Sequence, residues 1–267
     1  MKTKNLLTLF LAAGTATAVQ AQSFELTESG YFRNQGVDVM AFDDIYPEGH
    51  QGGLCIIMHG HRVATNGDIR LEATPGQWQP VPRQIDRKVD GNSITATLCY
   101  PDSTRHLTGF NPMIYPELQL TYSVRVESKG DKIDVLVDLD SPIPDYLIGK
   151  AGFNLEFMPT VYIGKSVQAD SNGDGTYDSF TVFPLTSFAD MEDVERARTG
   201  DQVWYVKDWN EQRGDAQPLP FATGKKMTFA AEDDNYRIRI SSDDGDLMLY
   251  DGRNRAQNGW YVLSSMI

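Results

Sequence analysis

Residues 118 to 139 read Leu118-Gln119-Leu120-Thr121-Tyr122-Ser123-Val124-Arg125-Val126-Glu127-Ser128-Lys129-Gly130-Asp131-Lys132-Ile133-Asp134-Val135-Leu136-Val137-Asp138-Leu139. Leu118, Leu120, Tyr122, Val124 and Val126 take every second position, with Gln119, Thr121, Ser123, Arg125 and Glu127 between them. A period of two sets one row of side chains on a core face and the other toward water, as in a half-buried strand. After Lys129-Gly130-Asp131 the period resumes at Ile133, Val135, Val137 and Leu139, so the two runs predict a hairpin about that turn.

The same alternation recurs at Ile94, Ala96, Leu98 and Tyr100, at Met227, Phe229 and Ala231, and at Tyr236, Ile238 and Ile240. It returns in shorter form at Leu247 and Leu249 and at Trp260 and Val262, with Gly, Asp and Asn clusters between the runs. Many short strands separated by turn residues predict an all-β fold, a large antiparallel β-sandwich, of which a galactose-mutarotase-like supersandwich is one form. No Pro/Ser linker or fixed repeat divides the chain, so residues 22–267 are expected to form a single sandwich domain. Phe188 to Arg198 alone predicts a helix, its acids Asp190, Glu192, Asp193 and Glu195 preceding Arg196 and Arg198 in the order the helix dipole favours. Thr199 to Gln217, polar but for residues such as Trp204, Tyr205 and Trp209, reads as a long loop.

Of the 267 residues 40% are hydrophobic, enough to bury a core. Lys plus Arg number 24 against 37 Asp plus Glu, a net charge of −13 that argues against a nucleic-acid binder. No apolar run reaches the roughly 20 residues of a membrane span. Residues 1–21 read as a secretory signal peptide: Lys2 and Lys4 are basic, Leu6 to Ala13 apolar, and Val19-Gln20-Ala21 offers a small-residue cleavage site. A buried N-terminal strand is the competing reading. Removal of the two lysines would take the net charge from −13 to −15. Gln22 rather than Cys follows the cleavage site, so the expectation is a periplasmic or secreted protein without a lipid anchor. Its two cysteines, Cys55 and Cys99, lie in apolar runs and are read either as buried thiols or as a disulfide.

Three segments offer chemistry. Asp170-Ser171-Asn172-Gly173-Asp174-Gly175-Thr176-Tyr177-Asp178 places oxygen side chains at relative positions 1, 3, 5 and 9 with glycine at 6. Hard Ca²⁺ takes such oxygens from alternate residues of a tight loop, so Asp170, Asn172, Asp174, Thr176 (by its carbonyl) and Asp178 are the candidate ligands of a structural calcium ion. Position 12 is Thr181 and the flanks are strand-like, so the loop resembles calcium hairpins rather than an EF-hand; Asn-Gly and Asp-Gly turn chemistry alone is the alternative. The second segment is His59-Gly60-His61-Arg62-Val63-Ala64-Thr65-Asn66-Gly67-Asp68, between a strand ending at Met58 and one starting at Ile69. Arg62, Asn66 and Asp68 are candidate carbohydrate contacts there, and Asn66-Gly67 is equally a hairpin turn. The third runs from Leu249 to Trp260, where Arg253, Asn254, Asn258 and Trp260 join a guanidinium and an indole to amides, the means of stacking on a sugar ring and bonding its hydroxyls. No G-x-S-x-G, P-loop, H-E-x-x-H or Cys-His metal spacing is present.

Ala151-Gly152-Phe153-Asn154-Leu155-Glu156-Phe157-Met158-Pro159, Gly164-Lys165-Ser166, Asp246 to Val262 and Gly60 to Arg70 together resemble the N-terminal β-rich region of glycoside hydrolase family 9 (cellulase-like) proteins of Bacteroidetes. The likeness covers about half of the chain beyond residue 21. In that family the region precedes an immunoglobulin-like module and an (α/α)₆ barrel that carries the catalytic carboxylates. The barrel's Asp-Ala-Gly-Asp motif does not occur in these 267 residues. The resemblance therefore implies an exported, non-catalytic accessory domain in polysaccharide (β-glucan) degradation, its partner a carbohydrate or a glycoside hydrolase catalytic domain. Two other expectations stand beside it. One is a mutarotase-like enzyme with His59 or His61 as acid and Glu156 as base, and the other is a calcium-stabilised structural module.

Overall fold

The computed structural model describes residues 4–10, 23–43, 53–70, 82–100, 119–148, 151–186, 205–207, 216–218, 220–253 and 259–267. Its strands are β1 (Lys4–Phe10), β2 (Glu25–Leu26), β3 (Phe32–Asn34), β4 (Val37–Ala41), β5 (Leu54–Met58), β6 (His61–Arg70), β7 (Arg83–Asp90), β8 (Ser93–Tyr100), β9 (Leu120–Lys129) and β10 (Lys132–Leu139). There follow β11 (Gly152–Phe157), β12 (Ser166–Asp170), β13 (Ser179–Val182), β14 (Tyr205–Lys207), β15 (Ala216–Pro218), β16 (Ala222–Gly224), β17 (Lys226–Phe229), β18 (Ile238–Ser242), β19 (Leu247–Asp251) and β20 (Tyr261–Met266). One nine-stranded sheet runs β13-β12-β17-β18-β1-β10-β9-β8-β7, and a second runs β16-β19-β20-β11-β6-β5-β4-β3-β2. All of these pairings are antiparallel, and the fold is an all-β sandwich.

The alternation that predicts the hairpin governs its packing. Leu120, Tyr122, Val124 and Val126 of β9 and Ile133, Val135, Val137 and Leu139 of β10 are buried, and the residues between them are partly exposed. Val135 stands opposite Val126, so a shared register sends both apolar rows to one face. That face meets the second sheet in a single hydrophobic cluster. Toward one end the cluster is aromatic: Phe157 of β11 packs edge-on to Phe229 of β17 with ring centroids 5.0 Å apart, and Phe183 lies 4.7 Å from Tyr261.

Two features, within the loop 199–217 and at the turn after β5, differ from expectation, and two others bear on alternatives that the sequence leaves open. Lys4–Phe10, within the expected signal peptide, forms an interior strand between β10 and β18. The expected loop 199–217 gives way to the β14–β15 pair, which ends at Pro218, because Tyr205-Val206 supplies strand-forming residues within polar surroundings. The turn after β5 is His59-Gly60, at φ 51° and 82°, a two-residue left-handed turn of the kind that joins twisted strands. Asn66-Gly67, expected to be that turn, lies inside β6. The two cysteines are free thiols: Cys55 belongs to one sheet, and Cys99 occupies an outward position of β8 in the other, whereas a disulfide needs Cα atoms within about 7 Å. The expected helix 188–198 lies outside the described residues.

Candidate functional site

Three of the four stretches that carry the resemblance come together in the second sheet, whereas Gly164-Lys165-Ser166 leads into β12 of the first. Gly60 to Arg70 supplies β6, Ala151 to Pro159 supplies β11, and Asp246 to Val262 supplies β19 and the start of β20; β19, β20, β11 and β6 are consecutive in that sheet. Every residue of β11 from Gly152 to Phe157 is buried. Phe157 faces the opposite sheet through Phe229, so alternation turns Glu156 and Asn154 to the other face, where both are nevertheless buried.

A bulge gives this block its polar centre. Asn154 pairs with Asp68 and Glu156 with Thr65, so two steps on β11 match three on β6. The extra residue falls at Asn66-Gly67. Asn66 takes φ 55°, a conformation asparagine tolerates, and a Cβ on Gly67 would come within 2.5 Å of Leu54 Cβ. Asn66 Nδ2 donates to Glu156 Oε2 at 2.6 Å, and the Arg70 guanidinium pairs with the same carboxylate. From the opposite sheet the Tyr122 hydroxyl donates to Asp68 Oδ1 at 3.0 Å, and that oxygen also accepts the Ile69 amide at 2.7 Å. Tyr100, stacked on Tyr122 with centroids 5.9 Å apart, donates to the Ile69 carbonyl. On β20, Ser264 donates to Asn154 Oδ1.

Burial pushes the Asp68 carboxyl up to about 7, against the opposing pull of the Ile69 amide, the Tyr122 hydroxyl and Arg70. Burial likewise lowers Arg70 to about 10 and raises both tyrosines. A carboxyl poised near neutrality beside phenols is able to exchange a proton in the physiological range.

Among the other carbohydrate candidates, Arg253 lies in the core. It is 2% exposed, binds both oxygens of Asp251 at 2.9 Å, donates to the Pro184 and Leu185 carbonyls, and sits 4.7 Å over the Tyr261 ring. Trp260 donates through Nε1 to Met158 Sδ, and the Met158 amide bonds the Val63 carbonyl. That row brings Arg62 and Trp260, both half-buried, to one end of the sheet. Asn254 and Asn258 lie outside the described residues. His59 and His61 are exposed, their rings against Tyr236 at 6.4 and 6.1 Å. The β6–β11 register sets Glu156 opposite Thr65, four positions along β6 from His61.

In the Asp170–Asp178 loop the carboxylates serve the loop itself. Asp170 accepts the Gly173, Asp174 and Gly175 amides at 2.6, 3.2 and 2.8 Å, Asp174 accepts the Thr176 amide, and Asp178 accepts the Ser171 amide and hydroxyl. Lys226 Nζ lies 3.9 Å from Asp170 and donates to the Gly173 carbonyl. Burial works against ionisation of Asp170, yet the Gly175 and Gly173 amides and Lys226 hold its carboxyl below the usual range. Asn172 and the Thr176 carbonyl belong to the same turn. Among the described residues no group of three or more His, Cys, Asp or Glu is arranged to hold a metal.

Comparison with protein families, curated proteins and solved structures finds no match. The residues themselves therefore carry the functional argument. Sequence reasoning missed Arg70, Tyr100 and Tyr122; the available signal was two tyrosines at core positions, whose hydroxyls need acceptors when buried.

Proposed function

We propose that this chain is an exported, non-catalytic accessory module of a polysaccharide-degrading glycoside hydrolase. The observation that supports the proposal is the fate of three of the four stretches resembling the family 9 N-terminal region: they form adjacent strands whose polar side chains bond to one another. Glu156 is held by Arg70 and Asn66, Asp251 by Arg253, and Asn154 by Ser264. Their distinctive chemistry serves architecture, as in a module that supports a catalytic domain. Where such a module touches glycan, the contact falls to Arg62 and Trp260, whose side chains are partly open at one end of the sheet. Mixing the purified chain with an (α/α)₆ barrel of family 9 is the test. A rise in the barrel's melting temperature with unchanged cleavage products is expected, and no effect at a saturating ratio would refute the accessory role.

A second reading, a structural Ca²⁺ in the Asp170–Asp178 loop, draws on the buried Asp170 carboxylate around which the loop is wound. Calcium there displaces Lys226 from Asp170. The expected result is a calcium-dependent rise in melting temperature that Asp174→Ala removes and Lys226→Ala enlarges. Identical melting with and without calcium in all three proteins would leave a turn held by its own amides.

A further inference from the structure

We propose that the place occupied by β1 is an acceptor slot for a strand donated by a partner protein, opened when the leader is removed. The proposal goes beyond the accessory role and stands on different observations. Lys4 to Phe10 pairs residue by residue with Asp138 to Lys132 of β10, and Leu7 to Phe10 pairs with Ser242 to Arg239 of β18. β10 and β18 are not paired with each other. The same segment carries the marks of a secretory signal peptide, with cleavage expected after Ala21. Its loss leaves two facing edges in the middle of a nine-stranded sheet, roughly 10 Å apart, or two strand spacings. That gap is too wide for direct hydrogen bonds and one strand wide for an insert.

The walls of the slot define its occupant. Both edges present rows of backbone donors and acceptors, which only an extended polypeptide satisfies together. Ile133, Val135 and Val137 of β10 and Ile238 and Ile240 of β18 are buried, so an empty slot would open the core to water. Leu9 stands opposite Ile133 and Ile240, and Leu7 opposite Val135. On the alternate row Thr8 stands opposite Asp134, and Lys4 stands opposite Asp138. The donated strand therefore runs antiparallel to both neighbours, carries apolar residues at the two positions level with Ile133 and Val135, and places a cation level with Asp138.

The test separates folding from strand exchange. The chain is folded as residues 1–267 with a protease site at Ala21-Gln22, nicked, and then mixed with a labelled peptide of sequence Lys4 to Phe10. Saturable one-to-one uptake is expected, with a melting temperature that falls when the leader fragment is diluted away and recovers with peptide. A peptide carrying Leu7→Asp and Leu9→Asp should bind on the order of 100-fold more weakly or worse, since it sets carboxylates level with the buried Val135 and Ile133. Equal uptake of both peptides, refusal of both, or an exported protein that retains Met1 would each overturn the proposal.

Discussion

Asp68→Asn should make the protein more stable at neutral and alkaline pH while leaving it nearly unchanged at pH 4. The Asp68 carboxyl is raised to about 7 in the folded protein, with burial as the main cause, whereas in the unfolded chain it titrates near 4. Between those values the folded state holds a proton that the unfolded state releases. Stability falls as pH rises through that window and levels off above about 7. A displacement of about three units corresponds to a ceiling of about 4 kcal/mol. Asparagine keeps an oxygen for the Ile69 amide and the Tyr122 hydroxyl but carries no charge. Urea denaturation should show the parent losing stability relative to the variant from pH 4.5 to 6 and from 6 to 7, with little further loss at pH 8. Parallel curves would mean that Asp68 is ionised in the fold, with Arg70 and the tyrosines accommodating its charge.

Arg253→Ala should be the most damaging of the single changes considered. Its guanidinium holds Asp251, itself only 6% exposed, and caps two carbonyls of the segment that follows β13. Removing one partner of a buried pair leaves the other charged and unsolvated, a loss of about 3–5 kcal/mol. Replacing both partners by apolar residues avoids that stranded charge, so Arg253→Met with Asp251→Leu should recover a substantial part of the loss. Melting temperatures of the single and double variants decide. An Arg253→Ala protein as stable as its parent would return this residue to the surface role that its polar loop suggests.

These two residues also show what the sequence could disclose. The β9–β10 hairpin was legible because one face is buried and the other partly wet, so burial and alternation carry the same message. β11 was not, because both of its faces are buried and Gly152 to Phe157 keeps no polar row at a water-facing position. Asn66-Gly67 reads as a turn for the reason that it forms a bulge: both conformations need a positive φ, and local sequence does not separate them. Asn66 and Asp68 were legible as a polar cluster. Their partners Glu156 and Tyr122 lie 90 and 54 residues away in the chain; the pairing of β11 with β6 brings Glu156 to Asn66, and the stacking of the two sheets brings Tyr122 to Asp68. Arg253 reads as a ligand contact because a guanidinium in a Gly- and Asn-rich loop is ordinarily exposed; its partner two residues earlier, Asp251, is the local sign that the pair is internal.

On the proposed accessory role, the buried carboxylates of this sandwich maintain its architecture and perform no hydrolysis. Glycoside hydrolysis requires two carboxyl groups about 5 to 10 Å apart across the scissile bond, one of them able to donate a proton. Asp68, held near neutrality, and Glu156, paired with Arg70, are the acids here that most nearly meet that description. Release of reducing ends from β-glucans by the purified chain, its Asp68→Asn variant and its Glu156→Gln variant is the most direct measurement. No turnover by any of the three is expected, and turnover by the parent that either substitution abolishes would overturn the accessory role.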